Sequence, residues 1–421
     1  MPAPKTMAGR LMANALRLHP KVRFCGNPPD AILDVPEDLL GYILSVLRGT
    51  PIARPVVSLG QWSQLLPVLA PHGIIPLLYQ CLKELPKPSR PPHEIMDKMR
   101  YAYLMHTGQA LRDEKQMQKI TEAFAKVNVR VIALKGFALA RMVYPGPGTR
   151  PGSDLDLLVV PHQMPEARAI LKNIGYDGGA ALFNAGSGLY KDEYFVHKQK
   201  QRYHRTIELH WRLHSFLGIS QDAEISELFD RAVTVKSENV TFEALDIVDA
   251  IIHRAINNAY GHDEHMRLIW LYDMVLLTKK LVGPDDWQRL QQRCVVWRAR
   301  LAVELSFEMA GSWLGLELPP GFDDFATWPR PSKIETIGWA RLISRHHSLL
   351  TTLQLRMPPA AGFLERTRFF IRLVFPLRDK VCRDFPVPDD RLFFLSYVKR
   401  WLYWVKKLQV KTMPRAKTQR R

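Results

Sequence analysis

The apolar positions follow two rhythms, and the change from one to the other divides the chain. Between Pro36 and Leu85 they recur at helical steps, as in Leu39, Leu40, Ile43, Leu44 and Leu47, which predicts a small helical unit with a packing role. A further helix is predicted over about residues 100–127, because Met117, Ile120, Phe124 and Val127 fall on one face. The rhythm then shortens. Val129–Leu134 is brief and rich in β-branched residues, Lys135-Gly136 makes a tight turn, and Phe137–Tyr144 reads as a helix. Pro145–Gly152 is a loop, Ser153–Val160 a second strand and Met164–Ile174 a helix. A glycine-containing stretch, Gly175–Gly188, precedes two more strands, Tyr194–Lys198 and Arg205–Trp211. Strands alternating with helices predict an α/β (α+β) core with a small sheet. From Leu245 the helical period returns, with Ile247, Val248, Ile251, Ile252 and Ala255, then Leu268, Leu271, Tyr272, Val275 and Leu276.

Proline-rich breaks at Leu85–Pro92, Pro319–Pro331 and Met357–Pro359 punctuate this pattern. The expected organisation is an N-terminal helical region over 1–99, an α/β core over 100–240, a helical domain over 241–356 and a basic aromatic segment over 357–421. No internal repeat or low-complexity tract is visible.

Composition narrows the class. Of 421 residues, 47% are hydrophobic and 10% aromatic, so the chain can build a core and is not disordered. With 59 Lys and Arg against 41 Asp and Glu, the formal charge is +18, which attracts nucleotides, RNA and anionic membranes alike. Cys25, Cys81, Cys294 and Cys382 are far apart with no C-x-x-C pair, which argues against structural zinc and against a disulfide framework and suits a reducing compartment. The first 25 residues lack a continuous apolar segment, so a secretory signal is not expected, while an organellar transit peptide stays open. No run of eighteen apolar residues occurs, so a conventional spanning helix is not expected; the expected location is cytoplasmic or membrane-peripheral.

The chemistry gathers in Ser153-Asp154-Leu155-Asp156-Leu157 and Thr206-Ile207-Glu208-Leu209-His210-Trp211. Residues two apart on a strand share a side, so Asp154 and Asp156 project together, and so do Thr206, Glu208 and His210. Two adjacent carboxylates repel unless a cation lies between them, and Mg²⁺ or Mn²⁺ suits such a pair. If the two strands are neighbours, Glu208 joins the aspartates. His210 shares that face, where it either touches substrate or is a structural histidine. The sets His204, His210, His214 and His253, His262, His265 lack the cysteine or spacing of a zinc site.

These residues resemble the nucleotidyltransferase superfamily typified by DNA polymerase beta, and most closely its bacterial branch of uncharacterised nucleotidyltransferases. Leu134-Lys135-Gly136, Leu139-Ala140, Tyr144-Pro145, Arg150, Asp154–Val159, Gly175-Tyr176 and Glu208–Trp211 carry the likeness in order, which extends from about Leu39 to Leu318 and includes Trp270–Asp273. The resemblance implies transfer of a nucleoside monophosphate from an NTP, with Asp154, Asp156 and Glu208 as catalytic metal ligands. Lys135-Gly136 would meet the phosphates. Phe137 follows Gly136 where many members of the superfamily have serine, so Lys135, Arg150 or Ser153 would supply the missing phosphate contact.

Two further expectations concern partners. Asp273, on an apolar helix, requires a base such as His253 or Arg254. The segment after Asp390 combines Phe393, Phe394, Trp401 and Trp404 with lysines and arginines and contains no acid, which suits an interfacial helix on anionic lipid, a nucleic-acid contact, or a helix docked on the protein's own core. The acceptor, whether tRNA, sugar or protein, is not legible. The competing functional class is a non-catalytic scaffold of the same fold in a membrane-associated, polysaccharide-related assembly.

Overall fold

The computed structural model describes residues 35–179, 191–198, 204–214, 225–260, 266–343 and 393–412, with isolated positions between 363 and 385. The N-terminal region before residue 35, including Cys25, and the tail after 412 lie outside the described residues, as do His262 and His265.

The chain begins with helices α1 (Glu37–Arg48), α2 (Leu59–Leu69) and α3 (Ile75–Lys83). Helix α1 stops at Gly49, whose φ of 79° places it in the left-handed region that glycine adopts without penalty. Ser58 and Gln61 form a reciprocal capping box at the start of α2. Helix α4 (His93–Ala125) runs for 33 residues. It starts directly after Pro91-Pro92 and not near residue 100, because a proline just before a helix leaves no donor to satisfy and already has a helix-compatible φ. Met117, Ile120 and Phe124 are buried as expected, whereas Val127 lies beyond the helix end and is exposed.

Among the described residues, seven strands form one mixed sheet in the order β3-β4-β5-β2-β1-β7-β6. They are β1 (Ile132–Ala133), β2 (Asp154–Leu158), β3 (Tyr176–Gly178), β4 (Asp192–His197), β5 (Thr206–His210), β6 (Val233–Lys236) and β7 (Thr241–Ala244). Helices α5 (Lys135–Met142), α6 (Met164–Asn173) and α7 (Ile225–Arg231) connect them. The periodicity indicated β1, β2, β4 and β5 but not β3 or the β6–β7 hairpin. Most of β6 is exposed and alternates too weakly to stand out, and β3 is three residues long and rich in glycine context. Strand β7 pairs in parallel with β1, so the sheet continues past residue 240.

Each strand sends alternate residues to opposite layers. Leu155, Leu157, Ile207 and Leu209 enter one core with Met117 and Phe124 of α4 and Leu171 of α6. The opposite layer holds Leu158 and Ile132 together with the N-terminal helices and α8 (Ile247–Tyr260), α9 (Leu268–Thr278), α10 (Pro284–Val296) and α11 (Arg300–Leu314) in one continuous core. Arg48 of α1 donates to the Trp313 carbonyl of α11 at 2.9 Å, so the first and later helical regions are joined. Helices α12 (Lys333–Ile343) and α13 (Phe394–Thr412) follow. Cys81, Cys294 and Cys382 are free thiols.

Candidate functional site

The site lies on the sheet face turned toward α8 and α9. Strands β2 and β5 are parallel neighbours, with Asp154 opposite Thr206, Asp156 opposite Glu208 and Leu158 opposite His210. Strand parity therefore puts Asp154, Asp156, Glu208 and His210 on one surface while the intervening leucines and Ile207 anchor the other. Helix α4 sets the start of β5, since the Gln116 amide accepts from the Arg205 N–H and donates to the Arg205 carbonyl, both at 2.9 Å. Arg168 of α6 grips Glu193 of β4 through two hydrogen bonds of 2.8 and 2.9 Å, fixing the next strand.

Lys135 opens α5 with a φ of 47°, uncommon for a residue with a side chain. The Leu134 N–H donates to the Asp156 carbonyl at 2.9 Å, which holds this turn against β2. From there the Lys135 ammonium donates to Asp156 Oδ1 and reaches to 3.8 Å from Glu208 Oε2. His210 Nε2 lies 3.0 Å from Asp156 Oδ1 and 3.5 Å from Glu208 Oε2. One ligand atom each from Asp156, Glu208 and His210 lies within 4.8 Å of the other two, a spacing a divalent cation could bridge. Asp154 stands beside this group but outside it.

The electrostatics are uneven. Burial opposes ionisation of Asp156, but the Lys135 ammonium and the His210 hydrogen bond outweigh it and hold the carboxyl well below the usual range. Burial likewise pulls Lys135 down, and the Asp156 and Glu208 carboxylates more than reverse this. Asp154 has less compensation: burial, reinforced by Asp156 and Glu208, pushes its carboxyl up to about 6, opposed by Lys135 and a hydrogen bond from Ser153.

The remaining predicted residues are placed differently. Arg150 is buried and makes a bidentate pair with Asp273 of α9, Nε to Oδ1 at 2.8 Å and Nη2 to Oδ2 at 2.7 Å. Tyr144 also donates to Asp273, at 2.7 Å. Asp273 is therefore ion-paired as expected, and Arg254 is one of its partners, with Nη1 3.8 Å from Oδ2; the closer partner is Arg150, whose planar fork takes both carboxylate oxygens in place of the expected His253. Gly136 is required by this packing, because a Cβ there would lie 2.7 Å from Arg150 Nη1. Phe137 is core, between the Arg141 guanidinium, 3.7 Å from its ring centre, and Phe242 at 5.1 Å.

Three groups near the site were not singled out as site residues by the sequence. Asp192, opposite His210 in the β4–β5 register, brings Oδ2 to 3.8 Å from His210 Nδ1. It precedes the apolar alternation that marked β4, so no sequence signal pointed to it. His253 and Arg254 of α8 line a cavity of about 20 Å³ with Lys135 and Leu139, room for about one water. A second cavity, about 10 Å³, lies among His106, Asp113, Gly136, Arg150, Asp154 and Arg205. Burial, with the charges of Lys135 and Arg254, keeps His253 neutral, and its Nε2 and Arg254 Nη2 have no hydrogen-bond partner among the described residues.

None of the curated proteins matches the chain at a significant level. A protein-family model does match. That match covers residues 58–315, more than half of the chain, and the protein belongs to the family described as uncharacterised nucleotidyltransferase.

Proposed function

We propose that the protein transfers a nucleoside monophosphate from an NTP to an acceptor hydroxyl or phosphate, in the manner of the DNA polymerase beta superfamily. The observation that carries this reading is the direct opposition of Asp156 and Glu208 across β2 and β5. Asp156, Glu208 and His210 form a donor set of two carboxylates and an imidazole that fits Mg²⁺ or Mn²⁺, with Asp154 adjoining. A divalent cation held there would neutralise phosphoryl charge and favour ionisation of the attacking hydroxyl.

The chain's own groups complete the arrangement. Lys135 compensates the acids, and were a divalent cation held by them its ammonium would be free to pair with a phosphate oxygen at the start of α5. Asp154, whose carboxyl is pushed up to about 6 by burial beside Asp156 and Glu208 when no cation is bound, adjoins the donor set and would add a further carboxylate to it. Asp192 stands on the far side of the His210 ring, its Oδ2 3.8 Å from Nδ1. Arg150 acts through Asp273 to fix the loop before β2.

A non-catalytic scaffold of the same fold is favoured by one observation: Lys135 and His210 already compensate Asp156. The experiment separates the two. Purified protein with labelled NTPs, candidate acceptors and Mg²⁺ is expected to show transfer that Asp156→Ala abolishes, and calorimetry is expected to show metal-dependent NTP binding weakened in Asp154→Asn. Absence of both, in protein that melts cooperatively, would establish the scaffold.

A further inference from the structure

Helix α13 wears its amphipathic pattern outward. In a helix, residues at steps of three and four share a face. Phe394, Val398 and Leu402 form one such row, flanked by Leu395 and Trp401, and all five are exposed, Leu402 at 56% and Phe394 at 52%. Among the described side chains of the helix, the one that is fully buried is Ser396. A helix docked on the protein's core would do the reverse, burying the phenylalanine and leucines and exposing the serine. The apolar surface also continues onto the preceding segment, because the Trp401 ring lies 6.1 Å from Phe375, which is itself exposed.

We infer that this face is a docking surface for an anionic phospholipid bilayer, on which α13 lies in the plane of the headgroups. Charge selects the occupant. Lys399 and Arg400 lie within the described part of the helix, and by sequence every charged residue after Asp390 is Lys or Arg, through Lys406, Lys407 and Lys411 to Arg421. A second copy of the chain would bring an equally basic segment against this one, and like charges oppose that pairing. A nucleic acid would engage a cationic face, whereas the outward face here is apolar. Apolar side chains entering the acyl boundary with basic residues at the headgroups satisfy both features. Among the described residues no helix is long and apolar enough to cross a membrane, so the contact is peripheral.

The test is flotation of the full chain with vesicles of phosphatidylcholine containing about one-third phosphatidylglycerol, against vesicles of phosphatidylcholine alone. The full chain is expected to float with the anionic vesicles, with at least roughly tenfold less on neutral ones, and to be released by high salt. Val398→Asp combined with Leu402→Asp is expected to lose flotation by at least about tenfold while keeping the melting temperature and NTP binding, since both positions are exposed. Equal flotation of wild type and variant would overturn the proposal. So would a wild-type dimer that the same variant converts to monomer without any lipid binding, or binding of an oligonucleotide in place of vesicles.

Discussion

Asp156 and Glu208 face each other in the parallel β2–β5 register, and the cation beside them is the chain's own Lys135. Opposed carboxylates are destabilising unless compensated, so the site without metal depends on that ammonium.

Lys135→Met is therefore expected to lower the melting temperature of the metal-free protein, since breaking a buried ion pair costs about 3–5 kcal/mol. Added Mg²⁺ or Mn²⁺ should raise the melting temperature of the variant by more than that of the wild type, because the metal then supplies the missing charge. Thermal shift in EDTA and in excess metal measures both. An identical metal response in the two proteins would mean that these acids do not share a cation.

The Arg150–Asp273 pair gives a prediction about stability with a different logic. Both groups are buried and bidentate, so Arg150→Met alone strands the Asp273 carboxylate and is expected to cost about 3–5 kcal/mol. Arg150→Met with Asp273→Leu removes both charges and should recover part of that loss. Tyr144→Phe, which deletes one neutral donor to the same carboxylate, should cost less, about 1–3 kcal/mol. Urea unfolding of these proteins together with Asp273→Leu alone decides the matter: additive losses for Arg150→Met and Asp273→Leu would remove the pair as a unit.

The parts of this site that were legible in the sequence are those fixed by strand parity. Asp154 with Asp156, and Glu208 with His210, share a face whatever the strand order. Their mutual approach depends on β2 and β5 being parallel neighbours, which no local pattern encodes, because the intervening α6, β3 and β4 form the crossover. Arg150 was the harder case. A loop arginine near a phosphate turn and a loop arginine tying that turn to α9 have the same sequence context, and only the 123-residue separation closed by the fold distinguishes them. The β6–β7 hairpin escaped notice because its outer strand has a largely exposed face, while its turn is held by Ser237 and Asn239 donating to the buried Glu114 of α4. Side chains from distant segments, not local propensity, define that edge.

Glu335 of α12 sets a pH dependence remote from the site. Its Oε1 accepts from the Leu301 N–H at 2.7 Å, satisfying one of the free donors at the start of α11. Burial pushes this carboxyl up to about 7, opposed by the Leu301 bond and by Arg300. The folded value is raised, so the folded state retains a proton that the unfolded chain releases near 4.5. Stability from this group is fully present below that value and is lost as pH rises through about 7. The change is on the order of 3 kcal/mol at most. Glu335→Gln keeps an acceptor for Leu301 without the titration, and its stability should fall less between pH 5 and pH 8 than that of the wild type. Parallel pH profiles from chemical denaturation would rule out this assignment.

The imidazole in the donor set predicts the site's metal preference. Mg²⁺ prefers oxygen donors and retains water, whereas Mn²⁺ accepts a nitrogen donor more readily. His210 Nε2 points at Asp156 and Glu208, and Asp192 lies beyond its other nitrogen. The wild type is expected to bind Mn²⁺ more tightly than Mg²⁺, and His210→Asn, which offers an amide oxygen, should narrow that difference by roughly tenfold. Asp192→Asn, which removes a negative charge 3.8 Å from the ring's other nitrogen without changing the donor set, should weaken Mn²⁺ by less than about tenfold. Electron paramagnetic resonance of Mn²⁺ under Mg²⁺ competition reads both affinities directly and needs no knowledge of the acceptor. If His210→Asn leaves the Mn²⁺-to-Mg²⁺ ratio where it was, the histidine is a structural partner of Asp156 and the cation is held by oxygen alone.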